Sequence, residues 1–242
     1  MQKKAIHKIP FLALLILTQI SCDNPENQPP LKVAQKENLK NNMLANISTE
    51  SLGNFKWLNE PKSFQIENGT LKVVAEKETD FFNNPEDKKK TSTAPVLFKE
   101  INGDFVAKVL VRPDFTSLWN AVALMVHIDN DNWIKFAFEN SDATGKSIVS
   151  VVTKNVSDDA NGAILNDQDQ IWLKIVRRDD IYSMLWSKNG EDFKMARLTT
   201  MAKVDSVKIG IEFQSPVGES ATHQIDYFEI EKTTVKDLRK GQ

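Results

Sequence analysis

The chain has 242 residues, 40% of them hydrophobic and 26% charged, with 31 basic against 33 acidic side chains and a formal net charge of -2. That length suits one large β domain or two small ones, and the acidic balance makes nucleic acid a poor partner. Cys22 is the only cysteine, so no disulfide can form within the chain and the folded part must be held by its core.

The first residues read as an address. Lys3, Lys4 and Lys8 precede the apolar run from Phe11 to Leu17, and Thr18-Gln-Ile-Ser-Cys22 follows; this is the three-part pattern of a secretory signal over residues 1–21. The apolar run is too short to span a bilayer, which takes about 20 residues. Cys22 directly after a small residue resembles a bacterial lipobox, although Gln19 stands where that pattern usually has Leu. The resemblance implies acylation of Cys22 and a membrane-anchored lipoprotein of the cell envelope, periplasmic or surface-exposed. Losing residues 1–21 removes three lysines and no acid, leaving 28 basic and 33 acidic residues. Residues 22–50 lack aromatics and are rich in Pro, Asn, Gln, Lys and Glu, as in Asp23-Asn-Pro-Glu-Asn-Gln-Pro-Pro30. Such composition predicts a disordered tether, with a short helical turn within Leu39 to Ile47.

From residue 51 to 232 the pattern changes to short alternating runs. Strands are predicted at Ser63–Ile66, Leu71–Ala75, Val96–Phe98, Asp104–Val111, Ala121–Ile128, Trp133–Glu139, Ile148–Thr153, Trp172–Arg177, Ile181–Ser187, Val207–Phe213 and Ile225–Ile230. Turn signals at Asn68-Gly69, Asn102-Gly103, Thr144-Gly145 and Asn189-Gly190 separate several of them. Many strands without a convincing amphipathic helix predict an all-β, two-sheet antiparallel sandwich. Lys77–Thr93 and Asp159–Gln170 are polar and predicted as long loops, where binding groups often sit. Residues 233–242 are predicted as a polar tail.

The most informative stretch joins Ala121–Ile128 to Trp133–Glu139 through Asp129-Asn-Asp-Asn132, the pattern of a hairpin. Period-two alternation turns Ile134, Phe136 and Phe138 to one face and Trp133, Lys135 and Glu139 to the other. Trp, Lys and Glu together suit a ligand surface that stacks on a sugar ring and bonds its hydroxyls; a surface cross-strand pair beside a rim tryptophan is the bland alternative. His127 shares the phase of Ala123 and Met125. Asp80, at the entry to the first polar stretch, and Trp119 are further candidates for the same groove. Alternating oxygen side chains at Asp129–Asn132 also suit calcium, although turn chemistry accounts for them; no cofactor is expected, and calcium stays the lesser alternative.

Eight segments recur together in the order of one family: Trp57-Leu-Asn-Glu-Pro61, Thr79-Asp-Phe-Phe82, Gly103-Asp-Phe105, Ala123-Leu-Met-Val126, Asn132-Trp-Ile-Lys135 with Glu139, Ser150-Val-Val-Thr153 with Ser157-Asp158, Trp172-Leu-Lys-Ile-Val-Arg177, and Gln214-Ser-Pro216. In these the chain resembles DUF1349 proteins over about Phe55 to Glu231. The resemblance implies a concanavalin A-like sandwich of the jelly-roll or laminin-G-like kind, of regulation-of-enolase type. The family usually has Trp where Phe82 stands and an aromatic where Asp159 stands, which thins any sugar platform here.

Catalytic templates are missing. The run Gln224-Ile-Asp226-Tyr-Phe-Glu229 has the spacing of a retaining glycoside-hydrolase signature, but an amide occupies the nucleophile's position. The leading expectation is therefore a non-catalytic lipoprotein whose concave-face groove binds a carbohydrate or similar polyhydroxyl ligand. A hydrolase or lyase acting on a sugar in the same groove, with Glu139 or Asp80 as acid or base, is one alternative; a protein-interaction module is the other.

Overall fold

The computed structural model describes residues 40–242. The signal sequence, Cys22 and most of the expected tether lie outside the described residues. Among the described residues sixteen strands, numbered in chain order, build two seven-stranded antiparallel sheets and one small hairpin. The first sheet runs β1 (Lys56–Leu58), β6 (Val96–Asn102), β15 (Ser206–Gln214), β8 (Ala121–Asp129), β9 (Asn132–Ser141), β10 (Gly145–Lys154) and β11 (Val156–Ile164). The second runs β14 (Lys194–Thr200), β13 (Ile181–Ser187), β12 (Ile171–Arg178), β7 (Phe105–Arg112), β16 (Ala221–Glu231), β3 (Thr70–Ala75) and β2 (Phe64–Glu67).

The sheets face each other over one apolar core, as the alternation predicts. Ile134, Phe136 and Phe138 of β9, Val122, Leu124 and Val126 of β8, and Ile209, Ile211 and Phe213 of β15 meet Val109, Leu173, Ile175, Met184 and Phe228 of the second sheet. The central hairpin forms in register, Ala123 opposite Ala137 and Val126 opposite Ile134. Its turn is closed by Asp129, whose Oδ1 accepts from the Asp131 N–H at 2.8 Å and the Asn132 side chain at 2.9 Å; these contacts engage the tetrad that suited calcium.

Expectations about two loops and both ends are corrected. Lys77–Thr93 is not a bare loop, because β4 (Phe81–Asn83) and β5 (Lys90–Ser92) pair within it; at three residues each, these strands are too short to show a period. The stretch expected to loop from Asp159 begins as β11, and β14 was not anticipated at all. Both are edge strands with largely exposed side chains, so backbone pairing forms them without an apolar pattern. The tether was expected to reach residue 50, yet Asn42 and Leu44 are buried. Asn42 caps the short 3-10 turn Met43–Asn46 by accepting from the Leu44 N–H, its Oδ1 also accepts from the Phe228 N–H at 3.1 Å, and its amide donates to the Gly69 carbonyl at 3.0 Å. The tail is not wholly polar in role, since Leu238 is buried with Val106, Val176 and Leu185 on the far side of the second sheet.

The outer face of the first sheet explains the site. Ala121, Ala123 and Ala137 leave shallow ground there, and Phe81 at the start of the hairpin and Ala94 just after it settle on it with Met125 and Trp133 as a second apolar cluster. This roof makes β9 buried on both faces. Trp133 lies edge-on to Phe81, ring centroids 5.8 Å apart, and is fully buried. Trp133→Ala is expected to lower the unfolding free energy by about 3–5 kcal/mol, read by urea denaturation.

Candidate functional site

The roof covers only part of the outer face, and the uncovered part is a cleft of about 500 Å³. Alternation carries Lys135 and Glu139 of β9 to its floor, together with Gln214 of β15 and Val149 and Val151 of β10. Asp80 and Phe82 form one wall with the loop Asn84–Glu86; Asp159 and Asn161 of β11 form another; Trp119 stands at the rim. Of the six ligand-binding candidates read from the sequence, four therefore meet here: Asp80, Trp119, Lys135 and Glu139.

Two do not. Trp133 is sealed under Phe81 and offers no face to a ligand, a correction whose cause is the unanticipated hairpin roof. His127 is also buried, edge-on to Phe81 at 6.1 Å, and borders a separate shallow depression at the Asp129 turn. Burial and the Lys208 ammonium lower its pKa. His223 is a core group: its Nδ1 accepts from the Asp114 N–H at 3.0 Å, its Nε2 lies 3.1 Å from the Gln214 carbonyl, and burial depresses its pKa to about 4.

Lys135 is the hub. Its Nζ donates to Asp80 Oδ1 at 3.1 Å, the Phe81 carbonyl at 2.9 Å and Gln214 Oε1 at 2.7 Å. Burial alone would lower its pKa, but Asp80, Glu212 and Glu139 outweigh burial and raise it, so the ammonium stays charged. Gln214 passes the connection on, donating to the Trp119 carbonyl at 2.8 Å and, at 3.5 Å, to Glu139 Oε2. Trp119 itself sits at φ 59°, a left-handed conformation costing a non-glycine residue about 1–3 kcal/mol. Its N–H donates to the Asn140 carbonyl at 2.8 Å, which with the Gln214 bond fixes the strained residue on both sides. The indole remains 36% exposed.

The carboxylates are out of balance with that one ammonium. Burial pushes Glu139 up to about 8, against the pull of Lys135 and with help from Asp159, Asp80 and Asp142. Asp159 is raised by burial, opposed by Lys135 and reinforced by Asp142 and Asp80. Beneath the roof lies Glu212, fully buried with neither carboxylate oxygen hydrogen-bonded among the described residues; burial pushes it up to about 8 as well. Sequence reading missed Gln214, Glu212, Asp159 and Asn161 as site residues. The available signal was parity: on β15, Ile209, Ile211 and Phe213 face the core, so Glu212 and Gln214 must face outward on a central strand.

Among the described residues no three His, Cys, Asp or Glu side chains are grouped so as to hold a metal ion. The acids line a space instead of converging on a point. The rejected hydrolase-like run lies on β16, outside the cleft, where Glu229 accepts from Tyr227 Oη at 2.9 Å and pairs with Lys108 at 2.7 Å.

A family described as "Protein of unknown function (DUF1349)" matches residues 57–233. "Regulation of enolase protein 1" of Saccharomyces cerevisiae is 26% identical over 168 residues, covering 69% of this chain and 84% of the yeast protein. Among solved structures, a functionally unknown protein from the same yeast superposes with a TM-score of 0.69 at 22% identity, over 75% of this chain and 98% of that one. A mutant of the GH43 protein BlXynB from Bacillus licheniformis gives 0.62 at 17% identity, over 84% of this chain but only 40% of its own length. The exoplasmic/lumenal domain of VIP36, in a form bound to Ca2+ and Man3GlcNAc, gives 0.52 at 9% identity, over 79% and 89%. At these identities the structural likenesses establish the shared sandwich fold, and function must be argued from the site.

Glu139 and Glu212 bind more protons in the folded than in the unfolded chain wherever the pH lies between 4.5 and about 8. Stability therefore falls as pH rises through that window. Thermal unfolding followed from pH 5 to 9 should show the midpoint dropping, and Glu212→Gln should flatten the drop and raise the midpoint at pH 8.

Proposed function

The chain belongs to the DUF1349 family, and on that footing we propose that its cleft is a non-catalytic receptor for a carbohydrate or similar polyhydroxyl ligand. One observation carries this reading: an exposed indole, Trp119, and the half-buried Phe82 stand over a floor of buried polar groups in a single cleft. Sugars present alternating apolar C–H faces and hydroxyl edges. An exposed aromatic takes the first, and side chains held by their own hydrogen bonds take the second with little further ordering cost. The Lys135–Gln214–Trp119 chain of hydrogen bonds supplies that pre-organisation. The glycan-bound VIP36 domain and the GH43 protein, which share the fold, support the ligand class by analogy.

A catalytic variant of this reading rests on Glu139 alone. A carboxyl held protonated near neutral pH is the equipment of a general acid, and Asp159 across the cleft would be its partner carboxylate. The hydrolase or lyase that this implies would turn over its ligand, and loss of turnover in Glu139→Gln would identify it.

We further propose that Cys22 is acylated and holds the receptor at the bacterial cell envelope. Cys22→Ala should then move the protein from the membrane to the soluble fraction, together with loss of label from a metabolically supplied fatty acid.

The binding reading is tested on a glycan array with a parallel turnover screen, using wild type, Trp119→Ala and Glu139→Gln. Trp119→Ala should weaken binding about tenfold, the worth of one aromatic contact, with unchanged thermal stability and no turnover. Binding that is indifferent to both substitutions would remove the cleft as the receptor site.

A further inference from the structure

The cleft's charge goes further than its shape, and what it says about the ligand rests on the reading just given. Five carboxylates line it, Asp80, Glu86, Glu139, Asp142 and Asp159, against the single ammonium of Lys135. That ammonium has nothing left to offer. Its three N–H groups are matched by three protein acceptors, Asp80 Oδ1, the Phe81 carbonyl and Gln214 Oε1. An anionic ligand would therefore meet acidic side chains and, among the described residues, no free cation to receive it.

The acceptors are in the opposite condition. Glu139 is only 7% exposed and lines the cleft, yet its one hydrogen bond among the described residues is the long contact, at 3.5 Å, from Gln214 to Oε2. Its Oε1 makes none. A group so deeply buried is costly to leave without partners, and Glu139 lines the cleft, where a ligand's donor can reach it. Asp159 of β11 lines the same space from its wall. A neutral hydroxyl could donate to Glu139, but an ammonium both donates and stabilises the ionised form of this carboxyl against the burial and acidic neighbours that hold it toward the neutral form. The dispersion of the acids favours a cation with several directional donors on a larger body over a bare ion, because no three of them gather at one point.

We infer that the polyhydroxyl ligand of this cleft carries a protonated amine, as an amino sugar does, and that Glu139 and Asp159 receive its ammonium while Trp119 stacks on its ring. The groups that face Glu139 are Lys135 on its own strand, Asp142 just beyond it, Asp80 from the roof segment, Asp159 from β11, and Gln214 and Glu212 from β15. Of these only Lys135 is cationic. Binding of an ammonium would draw the proton from Glu139, so affinity should rise from pH 5 toward pH 7 and be weakened by salt.

The test is isothermal titration of the full chain at pH 7 and low salt with three β-1,4-linked trimers: glucosamine, N-acetylglucosamine and glucuronic acid. The glucosamine trimer should bind about tenfold more tightly than its N-acetylated counterpart, the worth of one charge-assisted hydrogen bond, and the glucuronic acid trimer most weakly. In Asp159→Asn, whose folding is checked by its thermal midpoint, the preference for the amine should shrink to about threefold or less. Equal or tighter binding of the N-acetylated or acidic trimer, or a preference untouched by Asp159→Asn, overturns the amine inference while leaving the polyhydroxyl reading standing. Binding of none of the three overturns both.

Discussion

A lysine ammonium buried on the outer face of a sheet must be given partners or lose its charge, and the architecture around the cleft follows from how Lys135 is satisfied. Taking an ammonium out of water costs several kcal/mol unless hydrogen bonds and an opposing charge offset it. Here the partners come from separate parts of the chain: a roof carboxylate, a roof carbonyl and the β15 amide. Those bonds fasten the segment around Asp80 and Phe81 onto the sheet. The fastening places Phe81 over Trp133 and stops the roof where the cleft begins. The buried indole and the open pocket are thus two results of one electrostatic requirement.

The same requirement leaves a surplus. One ammonium steadies Asp80, but burial first, and then repulsion from neighbouring acids that its attraction does not cancel, hold the carboxyls of Glu139, Glu212 and Asp159 toward the neutral form. Trp119 adds backbone strain at the rim. Neither feature helps the fold, and both are clustered at one end of one sheet face. Costs of this kind are expected where a protein keeps a surface ready for something it has not yet bound.

The sandwich was legible because its signals are local: alternation in β8, β9, β12 and β15, turn residues between strands, and segments whose order resembles one family. Alternation also correctly put Lys135 and Glu139 on one face, away from Ile134, Phe136 and Phe138. It could not tell whether that face met water or another layer. Two strands of three residues each carry no period, yet they decide the fate of Trp133 and His127. Glu212 and Gln214 were hidden for a related reason: a polar residue in an apolar strand reads as exposed until something is found to cover it. Asp159 was assigned to a loop because an edge strand bonded through its backbone needs no apolar side chains to declare itself.

That edge position has a mechanical consequence. The strand carrying Asp159 and Asn161 is last in its sheet and is backbone-paired with β10 alone, with a register shift between Ser147 and Val149; further ties, from the Asn83 N–H to Ser157 and from Arg197 to Asp158, lie toward its start. The floor strands, by contrast, are gripped on both sides. Local opening requires least free energy where backbone pairing is one-sided and side chains are solvated. One bank of the cleft can therefore part slightly while the opposite bank and the bed hold still, so the aperture is adjustable and a branched or bulky guest need not wait for the whole sandwich to yield.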